Sequence, residues 1–249
     1  QNTAIGHQAL FNNSYGDGNI ANGVEALFTN STGNANLALG FRALYNNTEG
    51  SSNIACGDNA LYGANSGHEH EGNNNIAHGS HSLFCNFNGD YNIASGAQSL
   101  YTNHGGTTIS GPWVYKDGSY NIATGLQSML NNIYGSHNIA TGYQSLYSNT
   151  GFGNERERGD YNIAMGYQSL YNTNGATGSP SMIASYNTGI GHEVLYNNTI
   201  GNGNNALGYQ AGSTIVDGNY NTFIGHGADA SASGLDNATA LGYNAIVDA

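Results

Sequence analysis

The chain has 249 residues, 38 of them Gly, and only 8% are charged, with four Lys plus Arg against sixteen Asp plus Glu. A formal net charge of -12 at pH 7 argues against nucleic acid, anionic membrane surfaces and acidic substrates as partners, because each would be repelled. An apolar content of 38% with 18 Tyr, regularly placed, excludes a disordered acidic chain, and no apolar run reaches the ~18 residues that membrane insertion requires.

The first residues already open a repeat. Taking Asn-x-Ala-x-Gly as the anchor phrase, coils start at Asn2, Asn19, Asn36, Asn53, Asn75, Asn92, Asn121, Asn138, Asn162, Asn187, Asn204, Asn221 and Ala238. The spacings are 17, 17, 17, 22, 17, 29, 17, 24, 25, 17, 17 and 17, so the coil tolerates additions and never shortens. That pattern predicts a parallel β-solenoid, or β-roll, of about thirteen two-stranded coils forming a single repeat domain over 1–249. The start at Gln1, with no charged and apolar leader, reads as a processed product.

Within each coil the elements follow in a fixed order, and positions are numbered here from the anchor. The anchor itself is Asn, as at Asn138, and position +2 is small in twelve coils, with Phe223 the exception. Positions +1 and +3 share the other face of this short strand and keep at least one apolar residue per coil, Ile122 or Ile139 in central coils and Ile5 or Ile224 in terminal ones. Position +4 is Gly in all thirteen coils, Gly125 and Gly142 among them, which marks a corner needing positive φ or lacking room for a Cβ.

A second extended run, typified by "YQSLY", is expected next. Its leucine column, which includes Leu146, alternates with an aromatic column, which includes Tyr147. Neighbours in a strand point to opposite faces, so leucine is assigned to the core and tyrosine to an outer stack or another chain. A turn rich in Asn, Ser, Thr and Gly closes the coil. Cys56 and Cys85 fall in different columns, so no disulfide is indicated.

"NIATG" followed by "YQSLY" resembles the left-handed parallel β-roll repeats of trimeric autotransporter adhesin heads, the YadA-like head family. It also resembles the "NTAIGYQAL" arrays of bacterial surface proteins and phage tail-fibre-like proteins. The ending "NATALGYNAIVDA" is similar to the point where such arrays lead into an autoprocessing chaperone. The resemblance implies a homotrimeric, extracellular, non-enzymatic fibre or adhesin segment on a cell or virion surface. The 17-residue coil is longer than the usual head coil, and the insertions are not part of the family's minimal repeat.

All four insertions follow the aromatic column, at 63–74, 102–120, 148–161 and 172–186, and therefore fall along one edge of a solenoid. Loops on one edge of a rigid scaffold are where binding concentrates. These carry the single Trp, Trp113, with Tyr115 and Lys116 beside it, Arg156 and Arg158, and His68 and His70. Aromatic faces with polar neighbours suit a carbohydrate or another surface receptor as ligand.

The "HEHE" of His68 to Glu71 lacks the fixed geometry of a metal site, and isolated Asp residues in Gly-Asn turns, such as Asp90, Asp160 and Asp217, read as turn formers. Neither a metal nor a cofactor is expected. Sequons begin at Asn12, Asn30, Asn46, Asn197 and Asn237, three of them at the same turn position. No nucleophile elbow or phosphate loop points to catalysis, so no catalytic residue is assigned. A polysaccharide-degrading solenoid using Glu69, Glu71, Asp117, Glu155 or Glu157 is the weaker enzyme alternative. An ice-binding face would need a regular Thr ladder, which the column Asn22, Cys56, His78, Ser95, Thr124 and Met165 does not supply. The remaining alternative is a filament subunit stacking end to end, because neither end reads as a polar capping coil. The last coils do weaken, with Gly212, Asp229 and Ala230 in place of the leucine and aromatic columns.

Overall fold

The computed structural model describes residues 1–63, 72–103, 118–150, 159–173 and 184–248, which form two compact units, Gln1–Thr124 and Gly125–Ala249. Each unit is a parallel β-solenoid, and the described residues contain no helix. The first unit carries β1 (Thr3–Ile5), β2 (Ile20–Asn22), β3 (Leu37–Leu39), β4 (Ile54–Cys56), β5 (Ile76–His78), β6 (Cys85–Asn86), β7 (Ile93–Ser95), β8 (Thr102–Asn103) and β9 (Ile122–Thr124). Strands β1, β2, β3, β4, β5, β7 and β9 form one parallel ladder in that order, and β6 pairs with β8 in another.

The second unit carries β10 (Asn131–Asn132), β11 (Ile139–Thr141), β12 (Ser148–Asn149), β13 (Ile163–Met165), β14 (Thr188–Ile190), β15 (Asn205–Leu207), β16 (Thr222–Ile224), β17 (Asp229–Ala230), β18 (Thr239–Leu241) and β19 (Ile246–Val247). Its main ladder is β11, β13, β14, β15, β16 and β18, while β10 pairs with β12 and β17 with β19. Register follows the repeat: Ala38 pairs with Ala55, Ala55 with Ala77 and Ala94 with Ala123. The added residues between Ala55 and Ala77, and between Ala94 and Ala123, leave that register unchanged. A solenoid coil can therefore grow at one edge while its strand stays in place.

The core is thin, and its two walls are complementary in size. Ala at +2 of the strand and Leu at +8 of the opposite wall are fully buried in coil after coil, as at Ala21 with Leu27 and Ala38 with Leu44. The leucine assignment of the sequence reading holds, and where one wall changes, the other compensates. At Gly189 an added Cβ would lie 2.7 Å from Ser169 Oγ and 3.4 Å from Cγ1 of Val194, so side chains already occupy the place of the missing methyl. Phe223, the large residue in the small column, is fully buried over Gly212, where a leucine would otherwise stand.

The run "YQSLY" is not extended, which corrects the expected position of the second strand. Gln144 and Leu146 have φ of 51° and 48°, and the same two positions are left-handed in eleven of the coils, from Gln8 and Leu10 to Gln210 and Gly212. This conformation is unfavourable for residues with a Cβ and worst for β-branched ones. Stacking holds it in place: Gln144 N–H donates to Leu126 O at 3.1 Å, and Leu146 N–H donates to Ser169 O at 2.9 Å. The second wall consequently turns through +5 to +9, and its short strands begin only at +10 in β6, β8, β10 and β12. In the last two coils, +8 holds Asp229 and Ile246 with no positive φ, and there the strand begins at +8, as β17 and β19.

Candidate functional site

Five predicted positions fall in the ladders of the second unit. A Cβ on Gly125, at φ 124°, would come within 2.6 Å of Gly142 O, so close backbone approach excludes any side chain there; Gly142 repeats the geometry at φ 132°. Leu146 is fully buried, and the Tyr147 ring stacks on Tyr171 at 4.9 Å between centroids. Asn138 is fully buried, and its Oδ1 accepts the backbone N–H of Asn162 at 2.8 Å. The other predicted site residues, Trp113, Tyr115, Lys116, Arg156, Arg158, His68 and His70, lie outside the described residues, as do Glu69, Glu71, Asp117, Glu155 and Glu157.

Three rows of side-chain hydrogen bonds tie coil to coil. At the anchor, Asn36 Oδ1 accepts Asn53 N–H at 2.9 Å while its Nδ2 donates to Gly50 O at 2.8 Å, and Asn53 repeats this with Asn75 and Gly72. A second row at +11 runs amide to amide, with Asn47 Nδ2 donating to Asn30 Oδ1 at 2.8 Å and Asn149 Nδ2 to Asn132 Oδ1 at 2.7 Å. The third links the closing turns, where Asn34 N–H donates to Ser51 Oγ and Asn73 N–H to Asp90 Oδ1. Turn chemistry explains Asn, Ser and Thr here as turn formers and donors to local backbone, and the signal for bonds between coils was their recurrence every coil. At Asn149 the next +11 residue is Thr173, and at Asn198 it is Ile215; both Oδ1 atoms are buried without a partner among the described residues. Asn30, a predicted sequon, is fully buried, with its amide held by Asn13 Oδ1 and Gly33 O, so it is closed to modification in the folded chain.

The aromatic column is an outer stack. Phe11, Phe28, Tyr45, Tyr62, Phe84 and Tyr101 form six rungs in the first unit with centroids 5.0 to 5.4 Å apart and planes within 8°. The second unit has Tyr147, Tyr171 and Tyr196 in the same column. Burial raises the Tyr171 phenol above its ordinary range, and neighbouring phenols, first Tyr147 and Tyr196, add to the shift. A further stack at +5 runs Tyr143, Tyr167, His192, Tyr209, His226 and Tyr243. Beside it, Gln168 Nε2 donates to Gln144 Oε1 at 2.8 Å, in an amide row at +6.

The outward side of the strand ladder is apolar and exposed. Ile54, Ile76, Ile93 and Ile122 at +1 are each 38% exposed in the first unit, and Met165, Ile190, Leu207 and Ile224 at +3 are exposed in the second. Across all coils the columns at -1, +1, +3 and +5 hold a single Asp, Glu, Lys or Arg side chain, Asp58. Apart from Asp229 at +8 and Asp248 at +10, the other acidic residues sit in closing turns, at +6 and in the insertions. Among the described residues no three His, Cys, Asp or Glu side chains group as metal ligands, and no helix is long and apolar enough to cross a membrane. No family model matches the sequence, and neither a curated protein nor a solved structure matches it.

Proposed function

We propose that the chain is a structural and adhesive β-solenoid segment, working outside the cell or on a virion as a homo-oligomer, a trimer by the repeat's resemblance to adhesin heads. The observation that carries this reading is the uncharged outward face of the strand ladders. In a chain of net charge -12, copies repel one another unless they meet where charge is absent. On the first unit the +1 row is apolar from Ile20 through Leu37, Ile54, Ile76 and Ile93 to Ile122, with rungs about 4.8 Å apart, beside a mixed +3 row of Asn22, Leu39, Cys56, His78, Ser95 and Thr124. An exposed apolar row rimmed by polar residues is a surface on which copies can meet.

The insertions, carried on one edge, are the part of this segment that meets a ligand, with a glycan as the first choice and a host or surface receptor as the wider class. Strand walls locked by three hydrogen-bonded rows supply the rigid scaffold on which such loops bind. The chain has no assigned catalytic role in this reading.

Light scattering with negative-stain imaging across a concentration series tests it. A discrete trimer that Ile93→Lys converts to folded monomer is the expected result. A wild-type chain that stays monomeric at high concentration overturns the oligomer, and open-ended filaments replace it with end-to-end assembly.

A further inference from the structure

The column at -1, one residue before each anchor, carries an outer ring stack in which His137, Tyr161 and Tyr186 follow one another at centroid distances of 4.8 and 5.1 Å. The rung after Tyr186 is Gly203, and Tyr220 comes next. Register is kept across this gap, with Gly203 N–H donating to Ser185 O at 3.0 Å and Tyr220 N–H to Asn202 O at 2.8 Å. Exposure rises where the stack breaks. Tyr161, with a ring on each face, is 46% exposed, against 63% for Tyr186 and 68% for Tyr220. The rungs on either side of Tyr220 are Gly203 and Asn237, so neither supplies a ring, and the Tyr220 ring tips toward Gly203, where a Cβ would lie 2.7 Å from its Cδ1.

A second column changes at the same coils. Position +1 is Ile or Leu from Ile20 to Ile163 and then becomes Thr188, Asn205, Thr222 and Thr239. Thr188 pairs with Asn205, and Asn205 with Thr222. The anchors between the two columns, Asn187, Asn204 and Asn221, are fully buried, so the residues on either side of them are the ones turned outward. Among the described residues the half-buried Thr188 and Thr222 have hydroxyls with no hydrogen-bond partner, and Asn205 is exposed, its Nδ2 donating to Gly203 O at 3.3 Å. The apolar column of these coils stands at +3, in Ile190, Leu207 and Ile224, so a second copy seated there leaves the -1 side to a ligand.

We infer that Tyr186 and Tyr220, with Thr188, Asn205 and Thr222 beside them, form a subsite for a neutral pyranose, which lies against the exposed Tyr220 face with the Tyr186 ring at its edge. A pyranose presents C–H groups to the electron-rich face of an aromatic ring. Its rim hydroxyls both donate to and accept from the two Thr hydroxyls and the Asn205 amide. No Asp, Glu, Lys or Arg stands at -1, +1 or +3 in these coils, and the net charge of -12 repels uronic and sialic acids, so the subsite selects uncharged sugars. This rests on the glycan reading above and adds to it a contact carried by the repeat columns, apart from Trp113 and its neighbours.

Saturation-transfer NMR on the full chain with methyl β-D-glucopyranoside, methyl β-D-galactopyranoside and glucuronic acid tests it. Tyr186 and Tyr220 hold φ of 60° and 59°, and Gly203 holds 68°, so the backbone accepts Gly203→Tyr, which completes the stack and covers both faces. At least one neutral glycoside should give a saturable signal that falls tenfold or more in Gly203→Tyr and in Tyr220→Leu, with thermal unfolding showing both variants folded. Glucuronic acid should give none. No saturable signal from either neutral glycoside overturns the subsite. Signal unchanged in both variants also overturns it and leaves the glycan reading standing, and a chain shortened across 104–117 then shows whether the insertion holds the sugar. Signal kept in that shortened chain and lost in Gly203→Tyr places the sugar on the scaffold.

Discussion

Gly212 and Phe223 face each other across the core with their sizes exchanged: a Cβ on Gly212 would lie 2.7 Å from Phe223 Cδ2, where earlier coils set a leucine against an alanine, as at Leu146 and Ala140. Phe223→Ala alone should open a cavity and lower stability by about 3 to 5 kcal/mol. Gly212→Leu alone should clash with the phenylalanine ring. Together they restore the standard pair, and because Leu195 holds φ 48° one coil earlier, leucine suits the backbone at Gly212, φ 65°. The double variant should lie within about 1.5 kcal/mol of the parent in denaturant unfolding, and strict additivity of the two single losses would refute the exchange.

Leucine at +8 answers two demands, burial and a left-handed backbone. Leu146→Met keeps the volume and an unbranched Cβ and should cost less than about 1.5 kcal/mol. Leu146→Ile also keeps the volume but places a β-branched residue at φ 48°, adding about 1 to 2 kcal/mol. Equal urea midpoints for the two variants would show that φ is not the constraint.

Asn36 donates to Gly50 O and accepts from Asn53 N–H, both inside the core. Asn36→Asp keeps the acceptor, loses the donor and sets a buried carboxylate against a carbonyl oxygen, at about 3 kcal/mol near neutral pH. The folded state then holds that carboxyl's pKa above its unfolded value of about 3.9. Stability should be fullest below the unfolded value, where the protonated acid supplies the missing donor, and should fall as pH rises through the folded one. Thermal unfolding from pH 3 to pH 7, compared with the parent, measures the slope; a flat difference would rule out this account of the row.

Both cysteines are free thiols, and burial raises both, Cys85 to about 11. The thiolate is the reactive species, so Cys85 should react with a disulfide reagent at pH 8 at least tenfold more slowly than the same thiol in urea, with Cys56 labelled first. A raised thiol contributes stability below the unfolded thiol pKa of about 8.5, and that contribution is lost as pH rises through about 11. Equal labelling rates in the folded chain, followed by mass spectrometry, would contradict the burial of Cys85.

Much of this was legible because a solenoid repeats its physics every coil. The column of Gly125 is invariant, that of Ala140 is small in twelve coils and that of Leu146 is leucine in nine, so corner, strand and core are placed by sequence alone. The left-handed turn was harder. Its signal was the absence of Val, Ile and Thr from +6, and from +8 until Ile246, which composition and period-two alternation do not register. The residues chosen for ligand binding belong to insertions whose lengths differ, and without a repeat there is no column from which to argue geometry.

By itself the sequence determined the coil: its length, its glycine corner, its buried alanine and leucine walls and the tolerance of additions at one point. Only the tertiary structure decided what the coils do to one another. Stacking brings Asn36 against Asn53 and Tyr171 against Tyr196, and it holds Leu146 in a conformation it would not choose alone. Those relations join residues 17 or more positions apart, and a hydrogen bond or ring contact between coils exists only once the register between them is set.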